Sequence, residues 1–202
     1  LERLVWFEDG HPAIRRRTGR PLPGSLLHLE CHTYSYLEPP VLPPLLQHLD
    51  LRSSYMTTGT LPTLPATLKH LSCEFCDLER LPDDLPPLMA YLNCASNNIP
   101  ALPGAQLPPN LTHLDCSWNN LRRLPDLPRT LQHLACDYQE HGMEELPALH
   151  DTALEYLSCN CNRLTSLPNL PESLKWLNCL GNTFTDVAIT RIRRPGLVVT
   201  AR

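Results

Sequence analysis

The sequence predicts a repeat solenoid, one elongated domain in which short parallel strands stack unit upon unit. Three observations carry this prediction. The first is phase: an apolar residue recurs at Leu26, Leu46, Leu68, Met89, Leu111, Leu131, Leu154 and Leu174, in steps of 20, 22, 21, 22, 20, 23 and 20 residues. The second is a pair of apolar companions at fixed spacing. Three residues after each of these positions stands Leu29, Leu49, Leu71, Leu92, Leu114, Leu134, Leu157 or Leu177. Two further on stands Cys31, Leu51, Cys73, Cys94, Cys116, Cys136, Cys159 or Cys179. The third is the placing of the 22 prolines, most of them in Leu-Pro pairs such as Leu81-Pro82, Leu102-Pro103, Leu124-Pro125 and Leu167-Pro168. Proline cannot donate to a sheet ladder, so these points lie outside the strands and favour extended polyproline II geometry on a return arm. One such unit cannot bury its own apolar face; stacked neighbours bury a continuous core.

The stretch from Pro108 to Leu127 shows the unit whole: Leu111, Leu114, Cys116, Asn119, Leu121 and Leu124-Pro125. This spacing is the leucine-rich-repeat pattern, L-x-x-L-x-L-x-x-N/C-x-L, with Cys in the third apolar slot. The expected fold is therefore a leucine-rich-repeat solenoid, a right-handed horseshoe of β-strands and polyproline II arms. It should hold a parallel concave sheet of about eight short strands and little helix.

Taken in order, residues 1–21 form an N-terminal cap or flank. Within it Leu4, Val5, Trp6 and Phe7 are an apolar cluster suited to covering the first repeat. Residues 22–185 are the array of eight repeats. Residues 186–202 are a C-terminal cap, built from Val187, Ile189, Ile192 and Leu197-Val198-Val199 together with Phe184 before them, or a linker to a further domain. The chain begins at Leu1 rather than Met, so the natural N-terminus is expected upstream. The first repeat is irregular after Tyr34, with Pro39-Pro40 where Leu-Pro should begin. Two insertions, Tyr55 to Thr60 and Glu140 to Glu145, are expected as loops where the chain leaves the strand. Asn97, Asn119, Asn162 and Asn182 occupy a slot where a buried amide satisfies backbone groups of successive turns. Tyr34, Ser54, Cys76 and Gln139 depart from it, and the N-terminal third is expected to be less regular.

Composition narrows the function classes. Net charge is −4, yet residues 21–187 hold 8 Lys/Arg against 18 Asp/Glu, a balance of −10. The basic residues gather at the ends, at Arg15, Arg16, Arg17 and Arg20 and at Arg191, Arg193, Arg194 and Arg202. An acidic array argues against nucleic acid on the main face. No run of 18 apolar residues and no signal peptide is present, so no membrane partner is expected. Seven of the nine cysteines fall in the inward strand slot, where Cys acts as a small hydrophobe. Reduced, buried thiols and a reducing compartment are expected. Cys161, between Asn160 and Asn162, is the more exposed thiol.

Side chains alternate along a strand, so residues beside the inward slots face the concave surface. The first such row is His28, His48, His70, Tyr91, His113, His133, Tyr156 and Trp176, ring-bearing in every repeat. The second is Glu30, Asp50, Ser72, Asn93, Asp115, Ala135, Ser158 and Asn178; the third includes His32, Arg52, Glu74, Ala95, Ser117, Asp137, Asn160 and Leu180. Seven strand spacings of about 4.8 Å span roughly 34 Å, the scale of a protein surface or extended peptide. The candidate protein-binding residues are His48, Asp50, His70, Tyr91, His113, Asp115, His133, Asp137, Tyr156 and Trp176. Rings are natural contact residues, and they also stack well on neighbouring strands; both readings stand. Charged imidazoles on adjacent strands would repel, so binding or stability should respond near the His pKa.

No metal or other cofactor is expected. His113, Asp115 and His133 lie close on a sheet, but the row repeats its residue type for packing. Cys73 and Cys76 have finger spacing, but one fills a core slot and the other the Asn slot. No catalytic residue is assigned. Cys116 and Cys136 point inward while His113 and Asp137 point outward, so thiol and base cannot meet on one face.

Stretches such as Leu124-Pro-Asp-Leu-Pro-Arg-Thr-Leu131 and Leu167-Pro-Asn-Leu-Pro-Glu-Ser-Leu174 resemble the "LPX" repeats of bacterial type III secreted effectors, the IpaH, SspH and YopM groups. The Arg- and Pro-rich style is also similar to plant-pathogen effectors of the XopL type. The resemblance covers about residues 22–185. The chain departs from that pattern in having Cys where Val or Leu is usual, and residues 1–21 are too short and broken for a full helical hairpin. The resemblance implies secretion by the bacterium into the host cytoplasm and a host protein as partner. It further implies either substrate recognition for a C-terminal E3 ubiquitin ligase domain, with the ubiquitination machinery as a further partner, or a stand-alone scaffold. An array that restrains an absent catalytic domain is the other alternative. The ligase's catalytic Cys motif has no place in this chain.

Overall fold

A computed structural model describes residues 2–7, 22–32, 36–37, 41–104, 106–185 and 192–201. Arg15 to Arg20, Tyr34, Pro39-Pro40, Val187, Ile189, Arg191 and Arg202 lie outside these residues. The strands are β1 (Arg3–Phe7), β2 (His28–His32), β3 (Tyr36–Leu37), β4 (His48–Asp50), β5 (Tyr55–Met56) and β6 (His70–Ser72). They continue as β7 (Tyr91–Asn93), β8 (His113–Asp115), β9 (His133–Ala135), β10 (Tyr156–Ser158), β11 (Trp176–Asn178) and β12 (Val198–Thr200). Ten form one parallel sheet in the order β1-β2-β4-β6-β7-β8-β9-β10-β11-β12. The architecture is the expected leucine-rich-repeat solenoid.

The sheet has two strands more than the eight expected from the repeats. Arg3–Phe7 pairs with β2, Leu4 opposite Leu29, and Val198–Thr200 pairs with β11, Val199 opposite Leu177. In the sequence the first segment reads as a cap or flank and the second as a cap or a linker. They extend the ladder and pair edge N–H and C=O groups of β2 and β11. Leu4, Phe184, Ile192, Leu197 and Val199 are partly buried against the core.

Register is kept repeat by repeat: His48 opposite His70, Leu92 opposite Leu114, Leu134 opposite Leu157. The core is one cluster that joins the three apolar slots to residues after the Asn slot and in the Leu-Pro pairs, such as Ile99, Leu121 and Leu124, with Leu46, Leu68, Leu111, Leu131 and Leu154 fully buried. The prolines have a specific task. The carbonyls of Pro23, Pro43, Pro65, Pro86, Pro108, Pro128 and Pro171 each accept a hydrogen bond from the N–H three residues on, at 3.0–3.2 Å. That N–H belongs to the first apolar residue of the next repeat. The turn that delivers the chain into its strand begins at the proline, whose missing N–H is not needed there.

The Asn slot behaves as a bolt between turns. Asn119 Nδ2 donates to the carbonyls of Cys94 (2.9 Å), Cys116 (3.2 Å) and Ser117 (3.1 Å), while its Oδ1 accepts from Ile99 N (3.0 Å). Asn97 and Asn162 repeat the arrangement. Gln139 departs in sequence but not in function: its amide donates to Cys116 O (3.0 Å) and accepts from Leu121 N (3.0 Å). Ser54 Oγ donates to Cys31 O at 2.8 Å and Cys76 Sγ to Leu51 O at 3.0 Å, so the N-terminal repeats keep the link to the preceding turn with smaller groups. Among the described residues the strand register there is as regular as elsewhere.

The insertions are more ordered than plain loops. Tyr55–Met56 pairs with Tyr36–Leu37 in a second, two-stranded sheet and buries Met56. In the other, Gly142 takes φ +68°, and a Cβ there would meet Arg163 Cγ at 2.5 Å. Met143 is fully buried, its N–H held by Asn162 Oδ1 at 2.9 Å.

Candidate functional site

The concave face carries a ladder of rings. His28 and His48 stack with centroids 3.8 Å apart, His48 and His70 at 4.0 Å, and His70 and Tyr91 at 4.0 Å. In-register parallel strands place one ring over the next, a spacing slightly under the strand separation of about 4.8 Å. The ladder breaks between Tyr91 and His113, at 5.9 Å and 31°. It resumes with His113 over His133 at 4.3 Å, and His133 meets Tyr156 at 5.9 Å. The rings are half-buried, and only Trp176, at 55%, is exposed. The stacking reading of the row is seen directly, and the half-buried rings also remain in reach of solvent.

Burial sets the charge of this ladder. It pushes His48 below its ordinary pKa, aided by the charge of His28. It holds His70 down to about 4, with His48 adding to the effect. His113 is lowered by burial and by His133. These three imidazoles are neutral at pH 7, as close stacking requires.

The carboxylates divide the face into two regions. In the N-terminal region each is neutralised from within. Glu30 Oε1 accepts from His28 Nε2 at 2.6 Å and from Arg3 at 3.0 Å, and these partners lower its pKa. Asp50 is 6% exposed, so it lies under the face and not on it as the alternation implied. Burial alone would raise its pKa, but two 3.0 Å bonds from Arg52 Nε, with the nearby His32, outweigh it. Ser72, Ala95, Ser117 and Ser158, all with short side chains, are likewise buried. In the centre, Asp115 accepts, among the described residues, a single local bond from Ser117 N (3.0 Å). Asp137 accepts from Ser158 Oγ (2.8 Å) and Asn160 N (2.6 Å), yet burial keeps its pKa raised.

Of the ten candidate residues, the structure gathers His48, Asp50, His70 and Tyr91 in one region and Asp115, Asp137 and Tyr156 in a second. His113 and His133 stack on one another on β8 and β9, and Trp176 stands on β11 near the C-terminal end. The alternation rule passes over Phe75, Trp118 and Tyr138, which are 52%, 56% and 43% exposed. Each stands just before the Asn slot in the left-handed region, at φ 55°, 55° and 51°. That turn throws the side chain back toward the concave edge, where period-2 counting from the strand does not reach. The usable signal was the recurrence of an aromatic one residue before the slot.

Among the described residues, the group whose donor atoms converge is His28, Glu30 and His48, within 4.8 Å, rather than His113, Asp115 and His133. Arg3 and His28 already hold Glu30. Burial pushes the Cys116 and Cys136 thiols well up, opposite to what a nucleophile needs. A larger cleft, about 840 Å³, lies by the second insertion and is lined by Arg122, Arg123 and Arg163 with Glu144 and Glu145. No helix among the described residues is long and apolar enough to cross a membrane.

The geometry defines a leucine-rich-repeat protein, with a ring-lined concave sheet. A Leucine Rich Repeat family model matches residues 110–134. The structure is similar to YopM, a leucine-rich effector protein from Yersinia pestis, with TM-score 0.70 and 33% identity; the match covers 82% of this chain and 46% of that one. It is similar to a Shigella effector leucine-rich-repeat domain, with TM-score 0.63 and 27% identity, covering 80% and 74%. A leucine-rich-repeat protein of Leptospira interrogans shares the fold at TM-score 0.67 and 20% identity, covering 90% and 52%. No curated protein matches the sequence. The chain thus spans less than half of the Yersinia pestis protein, and its fold is related to the leucine-rich-repeat domains of bacterial effectors.

Proposed function

We propose that this chain is the protein-recognition module of a bacterial effector, secreted into the host cell and binding a host protein through its concave face. The observation that carries the reading is the face itself: stacked rings presenting edges, with carboxylates between them, along an open sheet. A long, gently curved surface with ring anchors suits a protein partner better than a metabolite, which needs a deep cleft. The likeness to effector repeat domains supports the same reading. In a longer protein the array would select substrates for an E3 ubiquitin ligase domain. The many buried thiols suit the reducing host cytoplasm.

The test is affinity capture from host cytosol with this chain as bait, beside a variant carrying His113→Ala, Asp115→Ala, Tyr156→Ala and Trp176→Ala. Circular dichroism checks that the variant keeps its fold. A protein retained by the native bait and lost by the variant is the expected result. Identical retention by both baits overturns the concave-face assignment.

A further inference from the structure

The centre of the concave face has a chemistry that the N-terminal region lacks. A groove of about 610 Å³ is lined there by Phe75, Trp118 and Tyr156 and by Glu74, Asp115 and Asp137. Trp118 stacks flat on Tyr138, centroids 4.1 Å apart and planes 9° from parallel, with both rings exposed. The left-handed turn belongs to the repeat, since Ser53, Ser96 and Cys161 share it; what sets this place apart is that two large stacked rings stand there open to solvent. The carboxylates decide what they contact. Glu30 and Asp50 each have an arginine of this chain at 2.9–3.0 Å. Among the described residues no Lys or Arg forms an ion pair with Glu74, Asp115 or Asp137. One half of the face is neutralised from within, and the other presents negative charge beside aromatic faces.

We propose that this groove seats a basic segment of the partner polypeptide, an arginine-bearing stretch whose side chains enter between the aromatic edge and the carboxylates. A guanidinium is the group that matches both walls. Its plane stacks on Trp118 or Tyr138, and its N–H fork donates to a carboxylate. The half-buried setting of Asp137 strengthens the attraction, because a desolvated carboxylate gains more from a counter-charge than a hydrated one. The inference rests on the reading that the concave face recognises protein, and it adds the charge and the central anchor of what is recognised.

The test is fluorescence anisotropy with a labelled peptide of alternating arginine and glycine, beside its glutamate counterpart, against the full chain in low and high salt. The arginine peptide is expected to bind and the glutamate peptide not, with affinity falling as salt rises. Trp118→Ala should weaken binding by about ten-fold, the scale of one cation–π contact. Asp115→Asn keeps the acceptor for Ser117 N and should weaken it by a similar factor. Asp137 is avoided because it holds β10 through Ser158 and Asn160. Absence of arginine-peptide binding, equal binding of the two peptides, or unchanged binding by both variants overturns the inference. Host capture lost in the four-alanine bait but retained in Trp118→Ala also overturns it and leaves the functional reading standing.

Discussion

Asn119→Ala is the substitution on which the reading of the solenoid's bolts depends most directly. The Asn119 amide is 2% exposed and makes four hydrogen bonds to backbone groups of two turns. Not all four partners are stranded by its loss. Cys94 O also accepts from Asn97 Nδ2 at 3.0 Å, and Cys116 O from Gln139 Nε2 at 3.0 Å. The Ile99 N–H has Asn119 Oδ1 as its acceptor, and it faces the core. One buried donor left unsatisfied costs about 1–3 kcal/mol, so a value near 2 kcal/mol is expected. Urea unfolding followed by circular dichroism reads this out. With a slope of roughly 2 kcal/mol per M for a chain of this size, the midpoint should fall by about 1 M. Asn110→Ala, at an exposed position, serves as control and should stay within about 0.5 kcal/mol. An Asn119→Ala midpoint equal to that of the control would refute the account, because it would mean the turns do not need the amide.

Acid and thiol chemistry probe the same geometry. Stability should fall as pH drops from 7.5 to 5.0. The folded pKa of His70, about 4, lies below its ordinary 6.5, so its contribution is complete above 6.5 and drains away as pH falls toward 4. His48 and His113 act in the same direction. Asp137, shifted up, recovers stability on acidification, in a window bounded below by its ordinary 3.8. Thermal melts should show the loss, and His70→Phe, which keeps a ring in the stack but cannot charge, should reduce it; equal melting temperatures at both pH values would count against the neutral ladder. A thiol reagent should modify one cysteine of nine quickly in the native protein, Cys161, and all nine in denaturant. The other eight are buried, with Cys94 pushed up to about 12. Fast labelling of several native thiols would show the core slots to be open.

The solenoid, its register and its concave rows are all legible in the order of the amino acids. Each of these comes from strictly local rules: a period near 20, alternation along a strand, and proline where a strand cannot run. Which concave residues face solvent is settled only once the repeats pack. Asp50 and Asp115 occupy the same row, yet Arg52 and His32 cover Asp50, while Asp115 remains on the groove. The terminal strands were also beyond the pattern, since Arg3–Phe7 and Val198–Thr200 carry no repeat signature and become strands only because β2 and β11 offer an open edge. Gln139 fills the Asn slot by reach and not by identity, a matter of distances that spacing does not encode. Phe75, Trp118 and Tyr138 reach the concave edge through a left-handed turn, a property of the backbone after the strand ends. Local periodicity fixes which way a side chain starts; its neighbours from other repeats fix whether it is covered, paired or left to meet a partner.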